Sequence, residues 1–258
     1  VHDNKGNITG HVSNPIWMIN QAYYWKLRYE YKSKTVSGVN YNESKQDVIF
    51  FNSDSLSTLD LQTGLSSVKK YQNKLSVDIQ LGTSFIDDVN NRLFVYEVNN
   101  LPVGNTTIAY LDDIDNPSWK DISIEYLPMQ LHHHDGYFDS KKNRYIVFGG
   151  FGNQSYNKEF LSYNINKNRW DTLFSSGDKI IPRYFSGMAN WKENNRLYIF
   201  GGMGNESGDQ TIGRSYLYDL HEIDLDEMEI KKLWSLSWKQ ENIVPARNMI
   251  MLNDSSFY

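Results

Sequence analysis

The clearest pattern along the chain is a short apolar segment that recurs at a fixed interval. Residues 92–96, 144–148 and 196–200 each consist of an arginine followed by four large apolar residues, and each segment begins 52 residues after the one before. Because successive positions are apolar, each segment is predicted to be the inner strand of its unit, with both faces covered by neighbouring sheets. The constant interval identifies an internal repeat.

The sequence after each strand predicts the rest of the repeat. In the second and third copies the strand runs into a glycine pair, Gly149-Gly150 and Gly201-Gly202, which favours a sharp turn or a close approach of another backbone. Residues 160–165 and 169–173 alternate apolar and polar positions around a polar turn, and they are predicted to form a hairpin. A tryptophan stands near the end of these units, at Trp170 and Trp234. One repeat therefore predicts one small antiparallel sheet.

This combination of apolar strand, glycine pair and later tryptophan resembles the kelch repeat. The resemblance implies an all-β fold, a β-propeller of four-stranded blades similar to the central domain of galactose oxidase. About four and a half blades are expected here, in units at residues 37–75, 82–127, 129–174 and 183–238, with a fifth that begins near Pro245 and is truncated. An open propeller exposes sheet edges, so we expect a fragment of a longer protein with six or seven blades. The alternative is closure by a second copy of the chain.

The segment 1–36 does not fit the repeat, and the propeller is assigned to residues 37–258. The aromatic stretch at residues 22–31 of this N-terminal segment is predicted to be a strand. Two interpretations are open, a strand that closes the ring and the end of a preceding domain, and the second is slightly favoured.

Composition excludes several classes of function. The 258 residues are 40% hydrophobic and 14% aromatic, which is typical of a folded segment. The formal net charge is -5 without a Lys/Arg stripe, and this argues against nucleic-acid binding. No run of about 18 apolar residues predicts a membrane span in this segment. The absence of cysteine excludes disulfides and thiolate metal sites and leaves the compartment open.

The densest group of chemically versatile residues is His132-His133-His134-Asp135, before the third repeated strand. Imidazoles and a carboxylate are metal ligands, but consecutive residues of a strand point to opposite faces, so a metal needs ligands from other blades. No such ligands stand out, and neither a metal nor another cofactor is predicted. The four residues are expected to line the central channel, where they are structural or contact a ligand.

Arginines and aromatic residues next to the repeats are the other candidates. Arg183 and Arg247 each stand shortly after a proline, at the start of successive units, and are interpreted as equivalent positions. They either bond backbone carbonyls, which is favoured, or face an anionic ligand in the channel. Tyr184 and its neighbours are candidates to stack on a sugar or a peptide. The acidic stretch between Asp219 and Glu229 lacks the spacing of a calcium loop and is expected to be a solvated hairpin.

No nucleophile elbow, phosphate loop or zinc helix is present. The sequence therefore favours a non-catalytic recognition domain of a larger protein, with a protein, peptide or carbohydrate ligand bound through His132, His133, His134, Asp135, Arg183, Tyr184 and Arg247. The specific hypothesis is a sensor domain of a bacterial extracytoplasmic protein, periplasmic or at the cell surface. The alternative is a propeller enzyme whose active site is completed by further blades. The thioether cross-link that galactose oxidase forms from cysteine is excluded in this segment.

Overall fold

A computed structural model describes residues 30, 36–79, 83–98, 108–122, 131–238 and 241–258. The described residues contain four sheets of four to six strands, which we call blades 1 to 4, a separate two-stranded hairpin and no α-helix. Their strand pairs are antiparallel except for one parallel pair in the largest sheet. The aromatic stretch at 22–31 lies almost entirely outside the described residues, so its pairing stays a prediction.

Blades 1 and 2 are simple four-stranded meanders in which each strand pairs with the next. Blade 1 comprises β1 (Gly38–Asn42), β2 (Asp47–Phe51), β3 (Ser55–Asp60) and β4 (Ser66–Lys70). Blade 2 comprises β5 (Thr83–Asp87), β6 (Arg92–Tyr96), β7 (Ile108–Leu111) and β8 (Trp119–Asp121).

Blade 3 has the same four strands and carries a small additional hairpin. In chain order its strands are β9 (Asp135–Asp139), β10 (Arg144–Phe148), the hairpin β11 (Phe151–Gly152) and β12 (Ser155–Tyr156), then β13 (Phe160–Asn164) and β14 (Arg169–Leu173). The main sheet runs β9-β10-β13-β14, and the hairpin stands in the loop between β10 and β13.

Blade 4 is the largest sheet. Its strands are β15 (Ser176–Gly177), β16 (Arg183–Tyr184), β17 (Gly187–Trp191), β18 (Arg196–Gly204), β19 (Ser215–Asp224) and β20 (Glu229–Ser235). Short 3-10 turns at Lys192–Asn194 and Gln210–Ile212 interrupt two of its loops. An antiparallel bridge between Met251 and Phe257 lies in the fifth unit.

The order of strands corrects one expectation from the sequence. The repeated apolar strand is the second strand of each blade, because β5, β9 and β17 precede and pair with it. These first strands contact one another from blade to blade, so they are the innermost. Their apolar second strands are buried on both faces, as the sequence predicts.

Packing between consecutive blades forms the core. Separate apolar clusters lie between blades 1 and 2, between 2 and 3, and between 3 and 4. The tryptophans of the outer strands contribute: Trp119 packs against Phe51 of blade 1, and Trp170 packs against Tyr96 of blade 2. Each blade therefore buries apolar surface against its neighbour, as a propeller requires.

The glycine pairs allow the close backbone approach that the sequence suggests. Gly149 and Gly202 both have positive φ, at 69° and 102°. A Cβ on either residue would lie 2.7 Å from a carbonyl oxygen, that of Arg183 for Gly149 and that of Tyr184 for Gly202. No other residue type fits there without displacing the backbone of the adjoining segment.

Candidate functional site

The entrances to the inner strands of successive units have the same backbone conformation. His133, Phe185 and Ala246 all adopt left-handed φ angles, between 53° and 56°. The Phe185 amide donates to the His133 carbonyl at 3.1 Å, and the Ala246 amide donates to the Phe185 carbonyl at 3.2 Å. This series of hydrogen bonds connects three repeats around the centre. We call the surface formed by residues 132–135, 184–186 and 246–247 the inner rim.

His134 is a buried member of the inner rim and faces blade 2. Its Nδ1 is 2.5 Å from the carbonyl oxygen of Leu131, and its Nε2 is 2.5 Å from the hydroxyl of Tyr96. The carbonyl can only accept, so Nδ1 carries the proton and Tyr96 donates to Nε2. Burial lowers the pKa of His134 to about 4, and the ring is therefore neutral at pH 7. His134 stabilises the contact between blades 2 and 3.

Asp135, the first residue of β9, points in the opposite direction, toward blade 4. Its Oδ1 accepts from the Gly136 amide at 2.9 Å, whereas its Oδ2 has no hydrogen-bond partner in the described part of the chain. Burial raises the pKa of Asp135 to about 7, although the Gly136 amide and the Arg247 charge act in the other direction. The carboxyl group therefore changes its charge near neutral pH.

Arg247 brings a positive charge to the same place. Its side chain is half-buried, and its guanidinium makes no hydrogen bond or ion pair with any residue that the structure describes. It lies close enough to His133, His134 and Asp135 to lower the pKa of all three. For the two histidines, burial is the larger cause of the lowered pKa. An arginine without a carboxylate partner beside a protonatable aspartate is the main electrostatic feature of the rim.

Arg183 and Arg247 are not equivalent, and this corrects the sequence interpretation. The hydrogen-bond series aligns Ala246 with Phe185, so Arg247 corresponds to Ser186 and to His134. Arg183 lies two residues before Phe185, in β16. An alignment on the shared proline and arginine places the two segments in the wrong register. The residues with equivalent backbone geometry are Phe185 and Ala246.

Arg183 is fully buried in blade 4. Its guanidinium donates to both carboxylate oxygens of Asp219, at 2.6 and 2.9 Å, and to the carbonyls of Ile181 and Gly201. Burial raises the pKa of Asp219, but this arginine holds it below the usual value. The geometry matches the favoured interpretation of Arg183, with its donors directed at the protein itself.

The acidic stretch from Asp219 to Glu229 is a hairpin, β19 and β20, but one of its members is not solvated. Asp219 is buried with Arg183, next to His221, whose ring nitrogens have no hydrogen-bond partner among the described residues. Burial lowers the pKa of His221 to about 4. Asp219 therefore belongs to the interior of blade 4.

Aromatic side chains surround the rim. The His133 ring stacks on Phe185 with centroids 4.0 Å apart, and the His132 ring stacks on Phe151 at 4.9 Å. Strand alternation would separate His132 from His133, but the left-handed turn at His133 places their rings 6.5 Å apart on one side. Tyr184 is buried beneath this group against Phe151 and supports it.

The described residues contain no group of three or more His, Asp or Glu side chains that is arranged to hold a metal ion. Within that part of the chain, no helix is long and apolar enough to cross a membrane.

Comparison with protein families places the repeats in a known group. The family model for the KLHDC2/KLHL20/DRC7 Kelch-repeats domain matches residues 86–256, which is more than half of the chain. No curated protein matches the sequence.

Proposed function

Because the chain belongs to the Kelch-repeat domain family, we propose that it is a non-catalytic recognition domain that binds a protein or peptide ligand on the inner rim. Kelch propellers generally mediate protein interactions. The family supports a protein-interaction propeller, and the geometry of the inner rim supports this surface as the ligand site.

The observation that carries the proposal is the unpaired guanidinium of Arg247. A half-buried arginine without a protein carboxylate has its hydrogen-bond donors available for a partner's anionic group. The stacked rings of His133 and Phe185 lie beside it and offer aromatic contact for the rest of the ligand. We therefore propose an acidic side chain or carboxylate as the group that the rim binds.

The proposal also covers the class of ligand, the role of the parent protein and its location. A protein or peptide is favoured over a carbohydrate because a neutral sugar leaves Arg247 without a counter-charge. A sensor role in a bacterial protein and a location outside the cytoplasm are also proposed, and they rest on the sequence resemblance alone.

The test is a selection of random displayed peptides on the 258-residue chain, followed by anisotropy titration of the best acidic peptide. We expect the selected peptides to be enriched in Asp and Glu. Arg247→Ala should weaken binding by about tenfold or more, because the ligand's carboxylate loses its charged hydrogen-bond partner.

Arg169→Ala is the matched control. Arg169 is an exposed arginine on the outer strand β14, where it pairs with Asp171. Its removal changes the net charge equally but should leave the affinity within about twofold. Equal losses in the two variants, or peptides without acidic enrichment, would contradict the proposed rim site.

A further inference from the structure

An open groove lies between blades 3 and 4, outside the inner rim but on the same face of the propeller. One wall is the hairpin β11–β12, and the other is the insertion of blade 4 between β18 and β19. Both occupy the loop between the second and third strands of their blades. The volume of the groove is about 490 Å³, and its lining is mainly polar.

The two walls are held together by hydrogen bonds. The Tyr156 amide donates to the Gly208 carbonyl at 2.6 Å, and the Gln210 amide donates to the Gln154 carbonyl at 3.0 Å. The insertion is also closed on itself, because Asp209 accepts from the amide and the hydroxyl of Thr211, each at 2.7 Å. The groove is therefore preformed, and a ligand does not have to order it.

The lining of the groove has many unused polar groups. The side chains of Asn153, Gln154, Glu159 and Glu206 make no hydrogen bond or ion pair with the residues that the structure describes. Side-chain amides carry both donors and acceptors, and they match the alternating N–H and C=O groups of an extended peptide. The groove thus offers hydrogen bonding without sacrificing contacts of its own.

The charge of the lining selects among possible ligands. Glu159, Glu206 and Asp209 are opposed by one cationic side chain, Lys158. A neutral glycan would cover the two unpaired glutamates without a counter-charge, which costs free energy. A lysine or arginine side chain supplies that charge, and its aliphatic stem can lie along Tyr156 and Pro182.

We propose that this groove is a second binding site, which takes an extended peptide segment with a basic side chain between Glu159 and Glu206. The site is separate from the inner rim and has the opposite charge preference. A partner that contacts both would carry an acidic group for Arg247 and a basic one for the groove. The proposal does not depend on the acidic ligand of the rim.

The experiment uses two pools of random undecapeptides that differ only at the central position, which is arginine in one pool and glutamine in the other. Each pool is passed over the immobilised 258-residue chain, and the retained fraction is quantified. We expect selective retention of the arginine pool, reduced by about tenfold in the double variant Glu159→Gln/Glu206→Gln and weakened by added salt.

The matched control is Glu193→Gln/Glu227→Gln. It removes two exposed carboxylates in the turns between β17 and β18 and between β19 and β20, at the other end of the blade 4 strands. It should retain the arginine pool like the unmodified chain, and so should Arg247→Ala. Retention by Arg247→Ala distinguishes the two sites, because a failure of the proposed rim site would leave binding in the groove intact. Equal retention of the two pools, retention that the groove variant leaves unchanged, or binding of neutral oligosaccharides in place of peptides would overturn the proposal.

Discussion

At the scale of single residues, the buried pair between Arg183 and Asp219 has the clearest energetic role. The two side chains make two parallel hydrogen bonds in a part of blade 4 that excludes water. A pair of this kind contributes little over an apolar replacement, but loss of one partner leaves an uncompensated buried charge. The pair therefore makes blade 4 sensitive to single substitutions at either position.

Asp219→Ala should lower the free energy of unfolding by roughly 3 to 5 kcal/mol, because it leaves the buried guanidinium of Arg183 without a counter-ion. Urea denaturation at pH 7 measures the change. Asp226→Ala is the control: its carboxylate is exposed and pairs with Lys142, so a much smaller loss of stability is expected. Similar losses in the two variants would show that the buried pair has no special role.

At the scale of elements, recurring tryptophans connect the outer strands to the preceding blade. The ring centroid of Trp170 in β14 lies 5.9 Å from that of Tyr96 in blade 2 and 5.3 Å from that of Tyr163 in its own blade. The side chain is half-buried, so part of its surface stays in water. Its contribution is to the packing of one blade on the next.

Trp170→Ala should destabilise the chain by about 3 kcal/mol, at the lower end of the range for aromatic truncations, because the ring is not completely buried. Thermal and urea unfolding provide the measurement, and Trp170→Phe should recover part of the loss. A neutral effect of Trp170→Ala would contradict the packing of blade 3 on blade 2.

Sequence pattern predicts some elements of a blade better than others. The second strands were evident because residues such as Tyr145, Ile146 and Val147 are buried on both faces, which produces an uninterrupted apolar run. The innermost strand Asp135–Asp139 was missed because its burial is mixed and its sequence gives no clean period. A signal was available: Asp87 and Asp139 also recur 52 residues apart, and each pairs with the arginine that begins the next strand.

The candidate site was predictable in part for a related reason. The sequence placed residues 132–135 at a blade entrance, and the structure brings them to the inner rim. Arg247 was assigned to the wrong position in its repeat, because a shared proline and arginine are weaker evidence than the left-handed turn at Ala246. The groove was not predicted, since β11 and β12 have two residues each and create no pattern.

At the scale of the whole molecule, the inner rim is assembled from successive repeats. Asp135 belongs to blade 3, Arg247 belongs to the fifth unit, and the backbone amide of Met188 in blade 4 acts with Arg247 to lower the pKa of Asp135 against the effect of burial. No repeat contains the electrostatic site alone, so the ligand surface depends on the stacking of neighbouring blades.

This arrangement should make acidic-ligand binding depend on pH. Burial raises the pKa of Asp135 to about 7, so its carboxyl group is mostly neutral at pH 6 and mostly ionised at pH 8. An ionised Asp135 competes with the ligand for the charge of Arg247. Affinity for the acidic peptide should therefore fall as the pH rises from 6 to 8, as measured by anisotropy titration.

The other groups around Asp135 do not produce this trend. Burial lowers the pKa of His133 and His134 below their usual range, and burial raises the pKa of Tyr96 and Tyr145 above theirs. His134, Tyr96 and Tyr145 are neutral between pH 6 and 8, His133 is less protonated there than a free imidazole, and the ligand's carboxylates are ionised throughout. Asp135→Asn should consequently bind with an affinity that varies little over this range. A decrease with pH that persists in Asp135→Asn, or a constant affinity in the unmodified chain, would show that Asp135 does not regulate Arg247.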